Sequence, residues 1–178
     1  KDWNIDKDNL FINTGIELRK TLLKIGLAKV LHHFHYFFRS YPEENIKEYF
    51  ELLNDENPNV ALQTAISIKN IKNVLNDTLK NSVKNKIDSL LFDLTKSLSF
   101  KGELFLSRFE MFGDFDEQNS LSNKIHLSKK YRFDFYSKNP NPDAAFKKLI
   151  ESYFSASCLR DQTDILPFVI DLQTKISD

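Results

Sequence analysis

The stretch from Leu52 to Ile71, LLNDENPNVALQTAISIKNI, constrains the fold most, because it places a helix end, a turn and a helix start in register. Asn57 can accept a hydrogen bond from a first-turn amide, and Pro58 fits the first helical position, where no intrahelical bond is lost. Beyond the turn, small and branched side chains recur every three or four residues: Val60, Thr64, Ser67, Ile68 and Ile71. This pattern predicts a helical hairpin whose second helix has one narrow buried stripe.

The same turn resembles part of a HEAT repeat, a family pattern with an Asp, a Pro three residues later and a Val two residues further on. Asp55, Pro58 and Val60 stand at those positions. The resemblance covers residues 42–71 only, has Ala61 where the family usually has Arg, and is not repeated at a period of roughly 35 to 45 residues. It implies a scaffold-type helical pair, and an ordinary helical hairpin is the alternative. The first helix would be Pro42 to Leu53, with a buried stripe of Ile46, Tyr49, Phe50 and Leu53.

Length and composition predict one globular domain over residues 1–178. Hydrophobic residues make up 41% of the chain and aromatic residues 13%, which excludes a disordered protein. No apolar run reaches the roughly 18 residues that a membrane span needs. Because the first residue is Lys1 and no leader follows it, we expect the chain to be a piece of a longer protein or a processed form.

The charge and the cysteine content limit the classes of partner and the compartment. Lys and Arg total 25, and so do Asp and Glu, so any binding to nucleic acid or to an acidic membrane must be local. Cys158 is the only cysteine, which rules out an intrachain disulfide and favours an intracellular, cytoplasmic location. We expect Cys158 to be a buried, inert thiol beside Tyr153 and Phe154.

A long helix is predicted to begin near Thr14, since Thr14 and Glu17 have the spacing of a capping box. No proline interrupts the chain until Pro42, which gives about 25 helical residues, while residues 1–13 are expected to be irregular. Apolar side chains also lie off the main face, so this helix is predicted to be central and covered on more than one side. The main face comprises Leu18, Leu22, Ile25, Val30, Phe34 and Phe37.

Three of the four histidines lie at the end of that helix, in the segment LHHFHYFF. His32 and His35 are one turn apart and could reach one metal ion, but two ligands are too few, and His33 points elsewhere. We therefore predict surface or packing histidines and no metal site.

Residues 77–100 have helical spacing almost without fault, which predicts another amphipathic helix. Between Lys69 and Lys101 the chain has seven Lys and three Asp, so the outer face is basic. A solvated face explains this pattern, and contact with a phosphate backbone or an acidic partner is the alternative. The apolar stripe comprises Leu79, Val83, Ile87, Leu90, Leu91, Leu94 and Leu98.

From Ile125 the period changes to two, because apolar and polar residues alternate as far as Phe135. A strand needs a partner, and the nearest segment rich in β-forming residues is 103–112, ELFLSRFEMF. We therefore predict an antiparallel β-hairpin within residues 103–136, although 103–112 also suits a helix. Two helices follow, one capped by Asn141 with Pro142 at its first position, and a short one at about 164–176. The expected fold is mainly α, with about five helices and this one hairpin.

The motifs of common enzymes are absent from the sequence. The four glycines are far apart, so no phosphate-binding loop is present, and no GxSxG motif occurs. The carboxylate pairs Glu43–Glu44 and Asp114–Asp116 are explained by helix starts or loop solvation. We expect no cofactor, and a catalytic function only if distant residues assemble a site.

Three functions fit these observations. The first is a non-enzymatic helical module that binds another protein or serves as a scaffold, and the second is a regulatory domain that docks onto the rest of a larger protein. The third is a nucleic-acid-binding accessory domain, because cations interleaved with aromatic rings suit a single strand. Its candidate residues are Lys80, Lys84, Lys86, Lys129, Lys130, Arg132, Tyr136 and Lys138.

Overall fold

In a computed structural model of the chain, residues 7–37, 42–139 and 141–155 are described, together with 163, 166, 167, 169, 170, 173 and 174. Side chains are described for these residues except 7–13, 34–37, 42, 45, 142, 146 and 152–155. These ranges are mainly helical, as the sequence predicts, and contain no strand. Their helices are α1 (Lys7–Phe37), α2 (Pro42–Leu53), α3 (Pro58–Ser67), a 3₁₀ helix (Ile68–Val74), α4 (Asp77–Phe92), α5 (Leu98–Phe112), α6 (Phe115–Lys124), α7 (Lys129–Ser137) and α8 (Pro142–Ser155).

The contacts divide the chain into two compact units, Lys1–Ile87 and Asp88–Asp178. The first unit contains α1, α2, α3, the 3₁₀ helix and most of α4. The second contains the end of α4 and helices α5 to α8. The expectation of a single domain concerns the folding of the whole chain and stays a prediction.

The hairpin predicted around Pro58 is confirmed in the first unit. Asn57 has extended backbone angles, and its side-chain Oδ1 accepts a hydrogen bond of 3.0 Å from the Asn59 N–H. The Asn57 N–H in turn donates to the Asp55 carboxylate at 2.9 Å, which fixes the turn. In α2, Ile46, Tyr49 and Leu53 are buried, and Phe50 is half-buried. The predicted stripe of the second helix is buried throughout: Val60, Thr64, Ser67, Ile68 and Ile71.

Helix α1 differs from its prediction at its start and in its burial. It begins at Lys7, so Thr14 lies inside the helix and does not cap it, and residues 7–13 are helical, not irregular. One face packs on α2 and α3, where the Tyr49 hydroxyl donates to the Ala28 carbonyl at 3.1 Å. The core at this contact contains Ala28, Leu52 and Val60, with Ile25 and Leu27 packed beside it.

The predicted helix 77–100 is confirmed for Asp77–Phe92 and wrong for the five residues 93–97. The Asp93 carboxylate accepts hydrogen bonds from the Thr95 N–H at 2.9 Å and the Thr95 hydroxyl at 2.7 Å, and these bonds replace helical ones. The Ser97 hydroxyl then accepts a bond of 3.2 Å from the Phe100 N–H and starts α5. The chain therefore turns after Phe92, and Leu94 is 89% exposed instead of buried.

The β-hairpin predicted within 103–136 is wrong, beginning with its first strand. Residues 103–112 belong to α5, which Ser97 caps at the start and Gly113 ends with a left-handed φ of 70°. A helix satisfies its backbone groups internally and needs no partner strand. Its buried side chains follow helical spacing, with Leu104, Phe105 and Met111 in the core.

The second predicted strand is the short helix α7, preceded by a non-helical segment that buries Ile125 and Leu127. Phe133 and Phe135 are about 200° apart on this helix and are buried on opposite sides. Phe133 packs with Ala145, Leu149 and Val169, while the Phe135 ring contacts those of Phe105, Phe109 and Phe115. A helix covered on two sides thus shows the same alternation of apolar residues as a strand.

Close packing of α7 on α5 depends on Gly102. A methyl group built on Gly102 would overlap the ring of Tyr131, so only glycine allows this approach. The Tyr131 hydroxyl also donates to the Glu103 carboxylate at 3.1 Å. Burial, followed by the charge of Glu103, raises the pKa of Tyr131 to about 12.

Helix α8 begins as predicted, with the Asn141 carboxamide accepting a bond of 3.2 Å from the Ala144 N–H. Three predictions fall on residues outside those described: the irregular conformation of residues 1–6, the burial of Cys158, and most of the helix 164–176.

Candidate functional site

A buried charge network lies within the second unit, around Arg108 of α5. Its guanidinium is 2% exposed and donates to Asp88 through two nitrogens, at 2.6 and 3.2 Å. It also donates to the carboxylate of Glu117 at 2.6 Å and to the carboxamide oxygen of Gln118 at 2.5 Å. Gln118 then donates to the Phe105 carbonyl at 2.7 Å. All three of these partners lie on α4 or α6, so Arg108 ties three helices together.

The electrostatics of this network indicate a structural role. Burial by itself would lower the pKa of Arg108, but its bonds to Asp88 and Glu117 outweigh burial and raise that pKa. The carboxylates of Asp88 and Glu117 are 27% and 38% exposed. Asp88 binds the guanidinium with both oxygens and Glu117 with one. A cation held by two carboxylates is not available to bind a substrate anion. Because residues 103–112 are predicted as a strand, Arg108 is not identified from the sequence. A helical prediction could have found it, since Arg108 lies four residues after buried Leu104 and three before buried Met111.

A polar groove of about 220 Å³ lies between α1 and the α2–α3 turn. Lys24 of α1 binds Asp55 of the turn at 2.6 Å, and the Asn57 carboxamide donates to the Thr21 hydroxyl at 3.1 Å. Burial by itself would raise the pKa of Asp55, but the bond from Lys24 makes the net shift downward. These pairs connect the turn to α1. This structural role explains why polar residues line the groove, and no ligand is needed to explain them. The groove is lined by Glu17, Lys20, Thr21, Lys24, Asp55, Glu56 and Asn57.

The histidine cluster is only partly described. The rings of His32 and His33 lie 3.9 Å apart between centroids, and the side chain of His35 is outside the described residues. Burial, and then the neighbouring His33, lowers the pKa of His32. Wherever side chains are described, no three His, Cys, Asp or Glu residues come close enough to hold a metal ion.

Three of the residues predicted for nucleic-acid binding, Lys80, Lys84 and Lys86, lie on the part of α4 in the first unit. Lys80 pairs with Asp77 at 2.9 Å, and the Lys86 ammonium stands 5.2 Å from the centroid of the Phe50 ring. The other five lie on or directly after α7, in the second unit. Each group is therefore a local surface of its own unit, and a joint site stays a prediction.

The residues of the second group have contacts within their own unit. Arg132 donates to the Ile125 carbonyl at 3.3 Å, and Lys138 pairs with Glu110 at 3.6 Å. The Lys130 ammonium stands 5.7 Å from the centroid of the ring of Tyr131. Tyr136 packs beside the core of α7 and α8, with the Lys148 ammonium 5.1 Å from its ring centroid. Tyr136 is half-buried, and Lys129 is exposed. The helix does not present these cations along one edge, as the predicted strand would.

The outer face of α1, directed away from α2 and α3, exposes large apolar side chains. Leu18 and Leu22 are each 58% exposed and Leu23 is 74% exposed. Ile16 and Val30 are also exposed, at 43% and 46%. We call this surface the α1 outer face and define it by these five residues with Arg19, Gly26 and Lys29. Large apolar side chains exposed together on one helix face are a common mark of an interaction site.

The sequence pointed to this surface but led to the wrong prediction. The spacing predicts Leu18, Leu22 and Val30 on the main face of a central helix that is covered on more than one side, whereas the structure exposes all three. In the structure the buried positions are Ala28 and Leu31, with Ile25 and Leu27 half-buried. A helix that is apolar all round has a second face to cover, and only the fold shows which face is covered already.

A smaller apolar group lies in the second unit, at the connection between α4 and α5. Phe92, Leu94 and Leu98 are exposed there by 49%, 89% and 42%. Leu94 lies on the turn, and Phe92 and Leu98 are the helix residues on either side of it. The three side chains make a narrower target than a helix face that runs for several turns.

No helix in the described parts of the chain is both long enough and apolar enough to cross a membrane. The sequence matches no known protein family, and comparisons with curated proteins and with solved structures find no match.

Proposed function

We propose that the chain is a non-enzymatic helical protein-interaction module and that its binding surface is the α1 outer face. The observation that carries this proposal is the exposure of Leu18, Leu22 and Leu23 on a helix whose opposite face is packed. Burying an exposed Leu side chain contributes about 1.5 to 3 kcal/mol, so a partner that covers this face gains substantial free energy.

The packing of the first unit supports this function. Helix α1 is held on the α2–α3 pair by the Tyr49 hydroxyl and by the ion pair between Lys24 and Asp55. Because these contacts use the opposite face, the outer face is presented on a supported helix and loses little conformational entropy on binding. The resemblance of residues 42–71 to a HEAT unit fits this scaffold role.

The charged groups described above favour binding over catalysis. Arg108, Lys24 and Asp55 are each engaged in pairs that join helices. A catalytic acid or base needs reach to a substrate, and these groups are committed to packing.

The experiment is a selection of helical peptides from a displayed library against the purified chain. We expect the enriched peptides to lose more than tenfold in affinity for Leu22→Glu, because a carboxylate would be buried in an apolar contact. Leu94→Glu is the matched control, since Leu94 is exposed but lies in the second unit. Circular dichroism checks that both variants fold. Peptides that bind Leu22→Glu as well as the unaltered chain, or a selection that enriches nothing, would contradict the proposal.

A further inference from the structure

We infer that the partner of the α1 outer face is an amphipathic helix whose apolar stripe has acidic residues next to its leucines. This inference rests on the proposed function and adds the chemistry of the partner. It is argued from the charges that border the exposed leucines.

The α1 outer face has cations and no carboxylate. Arg19 and Lys29 are exposed, and neither side chain has a hydrogen bond or ion pair with any described residue. Glu17 is the only acidic residue between Thr14 and His33, and it binds Lys20 at 2.8 Å beside the polar groove. At 100° per residue, Glu17 lies about 180° from the centre of the outer face.

The two cations have a defined spacing. Ten residues separate Arg19 from Lys29, which corresponds to about 15 Å along the helix axis and about 80° around it. Leu22 and Gly26 lie between them in both directions. Around the helix, Leu18 lies beyond Lys29, and Val30, Leu23 and Ile16 lie beyond Arg19, so both cations stand among the exposed apolar side chains. A partner helix with carboxylates next to its own leucines, about ten residues apart, can meet both cations while its leucines cover Leu18 and Leu22.

Charge disfavours a second copy of the chain as the occupant. Two copies would bring four cations and no carboxylate into one interface, and like charges across an interface oppose association. An acidic partner instead neutralises each cation while the same apolar area is buried.

An anionic membrane is also less well matched than a helix. Interfacial helices usually combine several cations with aromatic anchors, whereas this face has Arg19 and Lys29 and no aromatic side chain between Thr14 and Val30.

The face also leaves room for a partner helix at Gly26. Nothing lies within 4 Å of a methyl group built on Gly26, so this point of the face is low and open to a neighbouring helix.

The test uses three designed helical peptides of about 20 residues with one leucine stripe. Two positions next to the leucines, ten residues apart, are Glu in the first peptide, Gln in the second and Lys in the third. Fluorescence anisotropy with the full chain should show the Gln peptide about fivefold weaker than the Glu peptide, and the Lys peptide at least about twentyfold weaker. Raising the salt from about 50 to 300 mM should weaken the Glu peptide most.

A charge-reversed protein provides the sharpest control. The double variant Arg19→Glu with Lys29→Glu should reverse the order of the peptides and prefer the Lys peptide. Lys147→Glu reverses an exposed charge in the second unit and should leave the order unchanged.

The outcomes separate this inference from the proposed function. If all three peptides bind equally and lose binding with Leu22→Glu, the interaction module stands and the acidic partner is wrong. If no peptide binds, two other measurements show what overturns the inference. Binding to phosphatidylserine vesicles that needs Arg19 and Lys29 would assign the face to a membrane. Self-association lost with Leu22→Glu, measured by sedimentation, would assign it to a second copy. Failure of all these assays would overturn both proposals.

Discussion

Replacing Arg108 with methionine tests whether the buried charge network holds the second unit together. Methionine keeps most of the length and apolar volume of the arginine stem, so the change removes the guanidinium and leaves little cavity. It removes the bonds that the guanidinium donates to the carboxylates of Asp88 and Glu117 and to the buried carboxamide oxygen of Gln118.

The size of the effect follows from the burial of each partner. Breaking a buried ion pair costs about 3 to 5 kcal/mol. Asp88 and Glu117 are 27% and 38% exposed and regain water when the guanidinium is removed. We therefore expect the loss of these ion pairs to cost about 2 kcal/mol. The carboxamide of Gln118 is fully buried, and losing its donor adds about 1 to 2 kcal/mol. Arg108→Met should therefore lower the free energy of unfolding by about 3 to 4 kcal/mol.

Urea unfolding followed by circular dichroism measures this loss, and native-state hydrogen exchange shows where it occurs. Exchange should accelerate most in α5 and α6, since Arg108 joins them to α4. Arg108→Lys keeps the positive charge but loses the planar guanidinium that binds several acceptors at once. It should lower the free energy of unfolding by about 1 to 2 kcal/mol. Lys138→Met is the control, because its pair with Glu110 is more than a third exposed and contributes at most about 1 kcal/mol. Equal losses for Arg108→Met and Lys138→Met would refute the reasoning.

Two further predictions concern the glycines and the groove. Gly102→Ala should lower the free energy of unfolding by about 1 to 3 kcal/mol, because its methyl group overlaps the ring of Tyr131. Gly26→Ala has open space around its methyl group and should raise that free energy by about 0.5 to 1 kcal/mol through helix propensity, and urea unfolding that shows the same sign for both variants would contradict this. The carboxylate of Asp55 has a net lowered pKa, because Lys24 outweighs burial, so its stabilisation is present above the ordinary value of 3.8 and is lost as the pH falls through the folded-state pKa. The stability difference between the chain and Asp55→Asn should be constant above about pH 5 and shrink on acidification, and a difference that does not change with pH would argue against the pairing.

The helical hairpin of residues 42–71 could be predicted from the sequence because its information is local. Asn57 and Pro58 act on backbone groups within the same turn, so their effect does not depend on what packs nearby. The same reasoning located the start of α8 at Asn141. The start of α1 was wrong because Thr14 and Glu17 fit a capping box by spacing alone, while the helical residues before Thr14 remove the free amides that a cap would bind.

The predicted strands failed because apolar alternation has two physical causes. Phe133 and Phe135 alternate with charged residues either on a strand with one buried face or on a short helix buried on two sides. The choice depends on α5 and α8, which pack on those two sides and belong to other segments of the chain. The prediction of a helix at residues 93–97 was also wrong. Leu94 and Leu98 fit a helical stripe, but the side chain of Asp93 binds Thr95 and interrupts the helix.

By itself the sequence determined the helical class, the hairpin around Pro58, and the capped starts that depend on adjacent residues. Only the tertiary structure decided which apolar face of α1 is covered, and that the Arg108 guanidinium meets carboxylates from two other helices. The physical reason is the range of the interactions. Capping and turn bonds connect neighbours along the chain, whereas burial and ion pairing depend on groups brought together from distant positions. The candidate binding surface is the apolar face that remains after that packing is complete.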